Sequence, residues 1–296
     1  MSQSISETTS CQTGSFEMQS ALNLLSQHES IQKMSTGSAE IDWLIDGMQE
    51  SLFYLFYSTP ENQIILDSFL NRLLVGCILP KNGKKRGFES MAVFFNNIDY
   101  STDKNKHQIL NPEKIAVVSK YAGIEPKLVF KNLYVQTAYN LEHQVIIAQE
   151  IADKIESNSD IKLLAIRNLT RFFLNNERAD KSQDSSTLKK VLSVLYQVCI
   201  KHKVMMVATG HCNYCSNEMI SRPIGGTYLK HTVNVIVHLK PNPSSSYYTA
   251  SSSSSSSFNS YKATMIKHPY QLTPKSTNFY AKKLGKRRNP MLFIFD

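Results

Sequence analysis

The sequence lacks any uninterrupted apolar run near the ~18–20 residues that a membrane-spanning helix needs. Its first 16 residues are a polar stretch rich in Ser, Thr and Gln, without the hydrophobic segment of a secretory signal. These two absences predict a protein of the cytoplasm with no membrane partner.

Cysteine is scarce and irregularly placed. Five occur in 296 residues, and a chain of this length buries enough apolar surface to fold without disulfides. We therefore expect reduced thiols. His211, Cys212 and Cys215 are donor types that bind zinc, but this spacing makes only half of a tetrahedral site, so we expect no metal here.

Acidic residues are nearly absent from the C-terminal segment. The chain carries 33 basic and 24 acidic side chains, a formal charge of +9. Residues 261–296 hold eight of the basic side chains and one acid, so residues 1–260 are close to neutral. A polyanion would therefore bind at the C-terminus. The densest part of this charge, within residues 282–290, consists of Lys282, Lys283, Lys286, Arg287 and Arg288.

Short apolar runs alternate with helical patterns from about residue 51 onward. The expected strands are 51–57, 91–95, 132–136, 162–166 and 204–208. The expected helices are 61–79, 112–121, 141–156 and 188–202. This alternation predicts an α/β fold, with a mostly parallel sheet covered by helices on both faces and ligands at the carboxyl ends of the strands.

After residue 230 the pattern changes to strands alone. Expected antiparallel strands cover 232–239, 261–266, 277–281 and 291–295. Residues 241–260 include seven consecutive serines and predict a disordered loop, because so polar a segment buries too little apolar surface to offset its ordering entropy. We expect two regions, a flexible arm over 1–30 and a core over 31–296.

Six segments, in order, resemble the core of the RecA-type recombinases, in particular the archaeal RadA and eukaryotic strand-exchange branch. They run from about residue 30 to residue 280. The resemblance implies a RecA-like P-loop NTPase core with antiparallel C-terminal strands, and suggests a paralogue with degenerate nucleotide-binding motifs. The segments are Ser35–Asp42 with Leu44 and Gly47, Asn111–Ile115, Lys131–Val135, Ala138–Asn140 with His143 and Gln144, Lys162–Leu164 before Leu169 and Thr170, and Arg222–Gly226 before His231.

The family's phosphate-binding loop falls, by the resemblance, on residues 57–64, which contain no glycine. Gln63 stands where the family has its lysine, and Ile64 where it has a hydroxyl. Pro60 has no amide proton to donate. Glu61 places a negative charge where phosphate would lie, and two like charges ~4 Å apart repel by about 4 kcal/mol at an effective dielectric near 20. We expect no nucleotide and no other cofactor.

Three further positions of the resembled site are changed. Arg167 replaces the acid that orients magnesium, Ile98 the catalytic glutamate, and His211 the sensor glutamine. We expect Arg167 to pair with Glu61 and fill the pocket. Two alternatives stay open: Arg167 binds a phosphate, or this chain completes the active site of another subunit.

DNA contacts are implied at two loops and at the basic tail. The resembled first loop, about 175–186, contains Arg178 and Lys181, with Arg171 nearby. The second loop, about 211–221, is nearly uncharged, but Tyr214 can stack on a base and Arg222 follows it. Phosphate contacts from the tail would be sequence-independent and salt-sensitive, so we expect weak DNA binding, mainly through the tail.

The N-terminal arm resembles the family only in part. Phe16 stands where the family has a Phe-x-x-Ala tether that docks on the next filament protomer, but Gln19 replaces the alanine. A longer polar amide fits a small apolar pocket poorly, which argues against self-polymerisation.

These features predict a non-catalytic RecA/RadA-family paralogue that assists homologous recombination or DNA repair. It would bind DNA and a recombinase or another paralogue, at the nucleoid or in a eukaryotic nucleus. One alternative is an active DNA-dependent ATPase with an unconventional nucleotide site. The other is a protein-only regulatory scaffold on a RecA fold.

Overall fold

The computed structural model describes residues 20–22, 31–82, 86–99, 110–173, 181–212, 221–242, 258–284 and 292–295. Of 181–185, 258, 283–284 and 292–295 it describes the backbone only. The chain divides into two compact units, residues 1–31 and 32–296. Everything described below lies in the second.

A single large sheet organises this unit. The described residues form nine of its strands, six parallel and three antiparallel, in the order β11-β10-β9-β8-β3-β7-β6-β4-β5; β1 and β2 pair separately. The strands are β1 Lys33–Met34, β2 Met48–Gln49, β3 Phe53–Ser58, β4 Met91–Asn97, β5 Leu133–Ala138, β6 Ile161–Arg167, β7 Met205–His211, β8 Val235–Pro241, β9 Phe258–Lys267, β10 Lys275–Leu284 and β11 Leu292–Phe295.

Helices cover both faces of the sheet, and local capping explains where several begin. The Asn111 side chain accepts from two backbone amides at the start of α3, and Asn140 does the same for one amide of α5. Gly123 ends α3 with φ 79°, a left-handed conformation that suits glycine. The helices are α1 Ala39–Ile45, α2 Gln63–Ile78, α3 Pro112–Ala122, α4 Pro126–Lys131, α5 Leu141–Ser157, α6 Lys181–Lys201 and α7 Gly226–Thr232.

Strand β3 shows why the sheet needs helices on both sides. All six of its residues are buried. Tyr54 and Phe56 enter one apolar cluster, and Phe53, Leu55 and Tyr57 enter the other. Both faces of a parallel sheet are covered in this way, and each large apolar side chain buried contributes about 1.5–3 kcal/mol.

The predicted fold class is confirmed, and the expected strands and helices are present with their ends shifted, most of all in α6, which begins at Lys181 rather than at residue 188. Three short helices, α1, α4 and α7, were not predicted. Two boundaries were wrong: Lys282 and Lys283, assigned to the tail, lie in β10, where they pair with Ile294 and Phe293 of β11, and residues 258–260, assigned to the serine-rich loop, lie in β9. Most of that predicted loop, residues 243–257, lies outside the described part of the chain. None of the described helices is long and apolar enough to cross a membrane.

Candidate functional site

The carboxyl ends of four parallel strands meet at one edge of the sheet. Ser58 of β3 is in register with His211 of β7, and Asn96 of β4 with Arg167 of β6. In open α/β sheets this edge is where ligands bind. Three of the positions predicted for a vestigial nucleotide site, Gln63, Arg167 and His211, lie there together.

The segment that follows β3 is a 3-10 turn over Pro60–Asn62 rather than an open phosphate-binding loop. The backbone N–H of Asn62 already donates to the Thr59 carbonyl, and Pro60 has no backbone N–H. Glu61 is exposed, and a hydrogen bond from the Thr59 side chain lowers the pKa of its carboxyl group. Ile64 is exposed as well.

Arg167 forms an ion pair with Asp67, one turn into α2. Its Nε donates to Asp67 Oδ1 at 2.7 Å and its Nη2 to Asp67 Oδ2 at 2.9 Å, the two-bond geometry that makes Arg–carboxylate pairs strong. Nη1 donates to Asn96 Oδ1 at 3.3 Å. The prediction that Arg167 pairs with Glu61 was therefore wrong: its carboxylate partner is Asp67.

Gln63 extends this pair to His211. Its Nε2 donates to Asp67 Oδ1 at 2.5 Å, and its Oε1 lies 2.6 Å from His211 Nε2. Since a Gln oxygen only accepts hydrogen bonds, the His211 Nε2 is the donor. We call these five side chains, His211, Gln63, Asp67, Arg167 and Asn96, the polar network.

A second set of amides holds the backbone around Arg167. Asn97 Nδ2 donates to the Arg167 carbonyl at 2.9 Å. Gln144, from α5, donates to Asn97 Oδ1 and to the Leu169 carbonyl, both at 3.0 Å. Ile98, which was expected at the position of the catalytic glutamate, is buried. These contacts fix the end of β6, and with it the guanidinium.

The positive charge of Arg167 and the negative charge of Asp67 compensate each other within the polar network. Both Asp67 oxygens bind the Arg167 guanidinium, so this carboxylate is compensated by a cation rather than available for magnesium. Among the described residues there is no group of three or more His, Cys, Asp or Glu side chains that could hold a metal ion.

Sequence reasoning missed Asp67 and Asn96. A signal for Asp67 was present, because it is the only acid in α2 and stands four residues after Gln63, on the same helical face. Asn96 gave no such signal: it was one of two adjacent asparagines after a strand, and only the parallel register with β6 selects it.

Three of the predicted DNA-binding residues have described side chains. Arg171 lies in a 3-10 turn after β6, Arg222 is exposed after β7, and Lys282 is half-buried near the end of β10. The Lys181 and Lys283 side chains, and all of Arg178, Tyr214, Lys286, Arg287 and Arg288, lie outside the described part of the chain. The same holds for Cys215 and for Phe16 and Gln19 of the arm.

The fold is that of a RecA-like α/β protein, with a polar network at the carboxyl ends of its parallel strands. Residues 27–250 match the model of the Rad51 family, and the chain belongs to that family.

Two of the similar proteins are archaeal. The DNA repair and recombination protein RadA of Methanococcus maripaludis strain C6 is 30% identical over 162 residues, 53% of this chain and 48% of that protein. RadA of Methanococcus voltae is 28% identical over 223 residues, 72% of this chain and 67% of that protein. The chain thus spans about half the length of the first of these relatives.

Replacing Asp67 with Asn should leave the Arg167 guanidinium without its anion in a site where both side chains are nearly buried, at 12% and 14% exposure. Breaking such a pair costs about 3 kcal/mol of unfolding free energy, to be measured by urea denaturation. The control is Glu156→Gln, which breaks the exposed pair with Lys201 and should cost far less, because exposed ion pairs are screened by solvent. Equal costs for the two variants would contradict this role.

Proposed function

We propose that this chain is a non-catalytic member of the Rad51 family that assists homologous recombination or DNA repair by binding a RecA/RadA-type recombinase and DNA. The observation that supports it most is the polar network, in which Arg167 and Asp67 bond to each other where a nucleotide site would hold magnesium. The RadA relatives are DNA repair and recombination proteins by name.

Phosphoryl transfer depends on positioned charges, and this chain supplies few of them. Such sites use backbone amides and a lysine for the phosphates, an acid and a hydroxyl for the metal, and a residue that orients the nucleophile. Here the amide of Asn62 is bonded internally, Gln63 is bonded to Asp67 and His211, and Ile98 is apolar. These contacts favour a role without hydrolysis over an unconventional ATPase.

ATP with magnesium should neither be hydrolysed nor raise the melting temperature of the full chain. A ligand at 100 times its Kd stabilises a protein by about 2.7 kcal/mol, so thermal unfolding detects even modest binding. An active RadA-type recombinase assayed in parallel serves as the positive control. Hydrolysis by this chain that is lost in Arg167→Ala would instead support the active ATPase.

Edge strand β5 is suited to binding the recombinase. It has β4 on one side and no strand on the other among the described residues. Val135 and Gln136 in its middle are exposed. An open edge presents unpaired backbone groups that an extended segment of a partner can join as a further strand. Gln19 in the chain's own arm disfavours a second copy as that partner, so we assign the edge to a recombinase subunit.

The double variant Val135→Lys/Gln136→Lys should weaken binding to a recombinase from the same source by at least about tenfold, because charged lysines block edge pairing. Ile200→Lys, on the exposed face of α6, is the matched control and should bind normally. Titration calorimetry gives the affinities, and melting temperatures show that both variants fold. If the double variant binds like the control, β5 is not the docking edge. If it instead abolishes self-association, the partner is a second copy.

The described basic candidates share one edge of the sheet, which supports a common DNA path. Arg171 and Arg222 follow the carboxyl ends of β6 and β7. Strand β10 runs parallel to β3, because it is antiparallel to β9, which is antiparallel to β8. Lys282 therefore lies at the same edge, five strand spacings or about 24 Å from β6, and the remaining tail cations follow it in sequence.

Neutralising Lys286, Arg287 and Arg288 with glutamine, without touching β10, should remove most of the affinity for single-stranded DNA. Loss of three phosphate contacts lowers the salt slope by about 2 units, measured by fluorescence anisotropy across a salt series. The control neutralises Lys120, Lys127 and Lys131, which are exposed on α3 and α4, and should leave the slope unchanged. An unaltered slope in the tail variant would exclude the tail, and no binding by the intact chain would favour the protein-only scaffold.

A further inference from the structure

An open cleft lies between α2 and α3, beside the polar network. Its apolar walls come from Leu70, Phe94 and Leu110. Its volume is about 40 Å³ and it opens to solvent, so it has room for about three water molecules or one small ion. Polar groups of both helices and of β6 line it.

Lys114, in the first turn of α3, supplies a cation that forms no ion pair within the described part of the chain. It is half-buried and lines the cleft, yet makes no ion pair or hydrogen bond with any side chain in the described ranges. Burial lowers the pKa of its ammonium group; Asp67 opposes this and Arg167 adds to it. The ammonium has lost part of its hydration and forms no ion pair within the described ranges, so an anion in the cleft would stabilise its charge.

Asn71, one turn after Asp67 on α2, supplies an uncharged donor. It is 7% exposed and lines the same cleft, but its carboxamide has no hydrogen-bond partner within the described part of the chain. Because it is not bonded to the described residues, this carboxamide can donate to an acceptor that enters the cleft.

The charges around the cleft decide the sign of that ligand. Of the described residues, three charged ones line it, Asp67, Lys114 and Arg167. Asp67 and Arg167 cancel each other through their two hydrogen bonds, so Lys114 leaves a net charge of about +1. The occupant should therefore be an anion.

We propose that this cleft binds a small oxyanion, with Lys114 as its counter-charge, Asn71 as a hydrogen-bond donor and Leu70, Phe94 and Leu110 against its apolar part. Free phosphate and a small organic phosphate or carboxylate share this chemistry. The site goes beyond the non-catalytic role proposed above, which requires no ligand.

The test titrates the full chain at low ionic strength with inorganic phosphate, phenyl phosphate and benzoate, by calorimetry and by ³¹P line broadening for the phosphates. At least one probe should bind saturably in a 1:1 ratio. Lys114→Gln should weaken this binding by at least about tenfold, the scale of a hydrogen bond to a charged group, and Asn71→Leu should weaken it less. Lys120→Gln, an exposed cation of the same helix, should leave it unchanged.

Since Lys114→Gln removes an unpaired half-buried cation, it should melt no lower than the parent chain, so weaker binding does not reflect unfolding. Tighter binding of phenyl phosphate or of benzoate identifies the ligand as an organic phosphate or a carboxylate, and equal binding of the two phosphates points to the phosphate group alone. Absence of saturable binding by all three probes, or binding that survives both cleft substitutions, would overturn the proposal. ATP binding that requires Lys114 would overturn the non-catalytic role and leave the oxyanion site standing.

Discussion

The ion pair between Arg167 and Asp67 is the contact on which the arrangement of this site depends. A guanidinium at the end of a central strand has neighbouring strands on both sides and a helix above it, so it needs an acceptor within a few ångströms. Asp67 meets this need from α2, and its Oδ1 also accepts from Gln63, which in turn binds His211. One cation thereby sets the orientation of side chains from β4, β6, β7 and α2.

Three of the five positions in the polar network were predictable from the sequence, but Asp67, Asn96 and the pairing were not. Motif order identified Gln63, Arg167 and His211, because strand ends are set by short apolar runs. Choosing the partner of Arg167 required knowing where α2 begins: a 3-10 turn occupies Pro60–Asn62, which leaves Glu61 exposed and places Asp67 a turn inside the helix.

The same limit explains the other differences between expectation and structure. Helices α1, α4 and α7 have six or seven residues, too few for a helical period to emerge from the sequence. Lys282 and Lys283 were not predicted to lie in a strand, because charged side chains indicate a solvent-exposed segment. The pairing of β10 with β11 depends instead on backbone hydrogen bonds, which the side-chain pattern does not show. The long helices and the buried strands could be predicted from their apolar periodicity. The short elements could not, because tertiary contacts stabilise them.

Replacing an acid by Arg167 also changes which ligands the sheet edge can favour. In an ATP site a protein carboxylate holds a metal, and the metal supplies the positive charge that the phosphates need. Here the positive charge is a fixed part of the chain and is compensated by Asp67, while Lys114 stands beside the pair with no counter-ion among the described residues. A simple anion then needs no metal to approach this edge, whereas a triphosphate meets Pro60, Glu61 and a closed 3-10 turn. The charges at this edge therefore suit the small oxyanion that we propose, whether or not a nucleotide binds nearby.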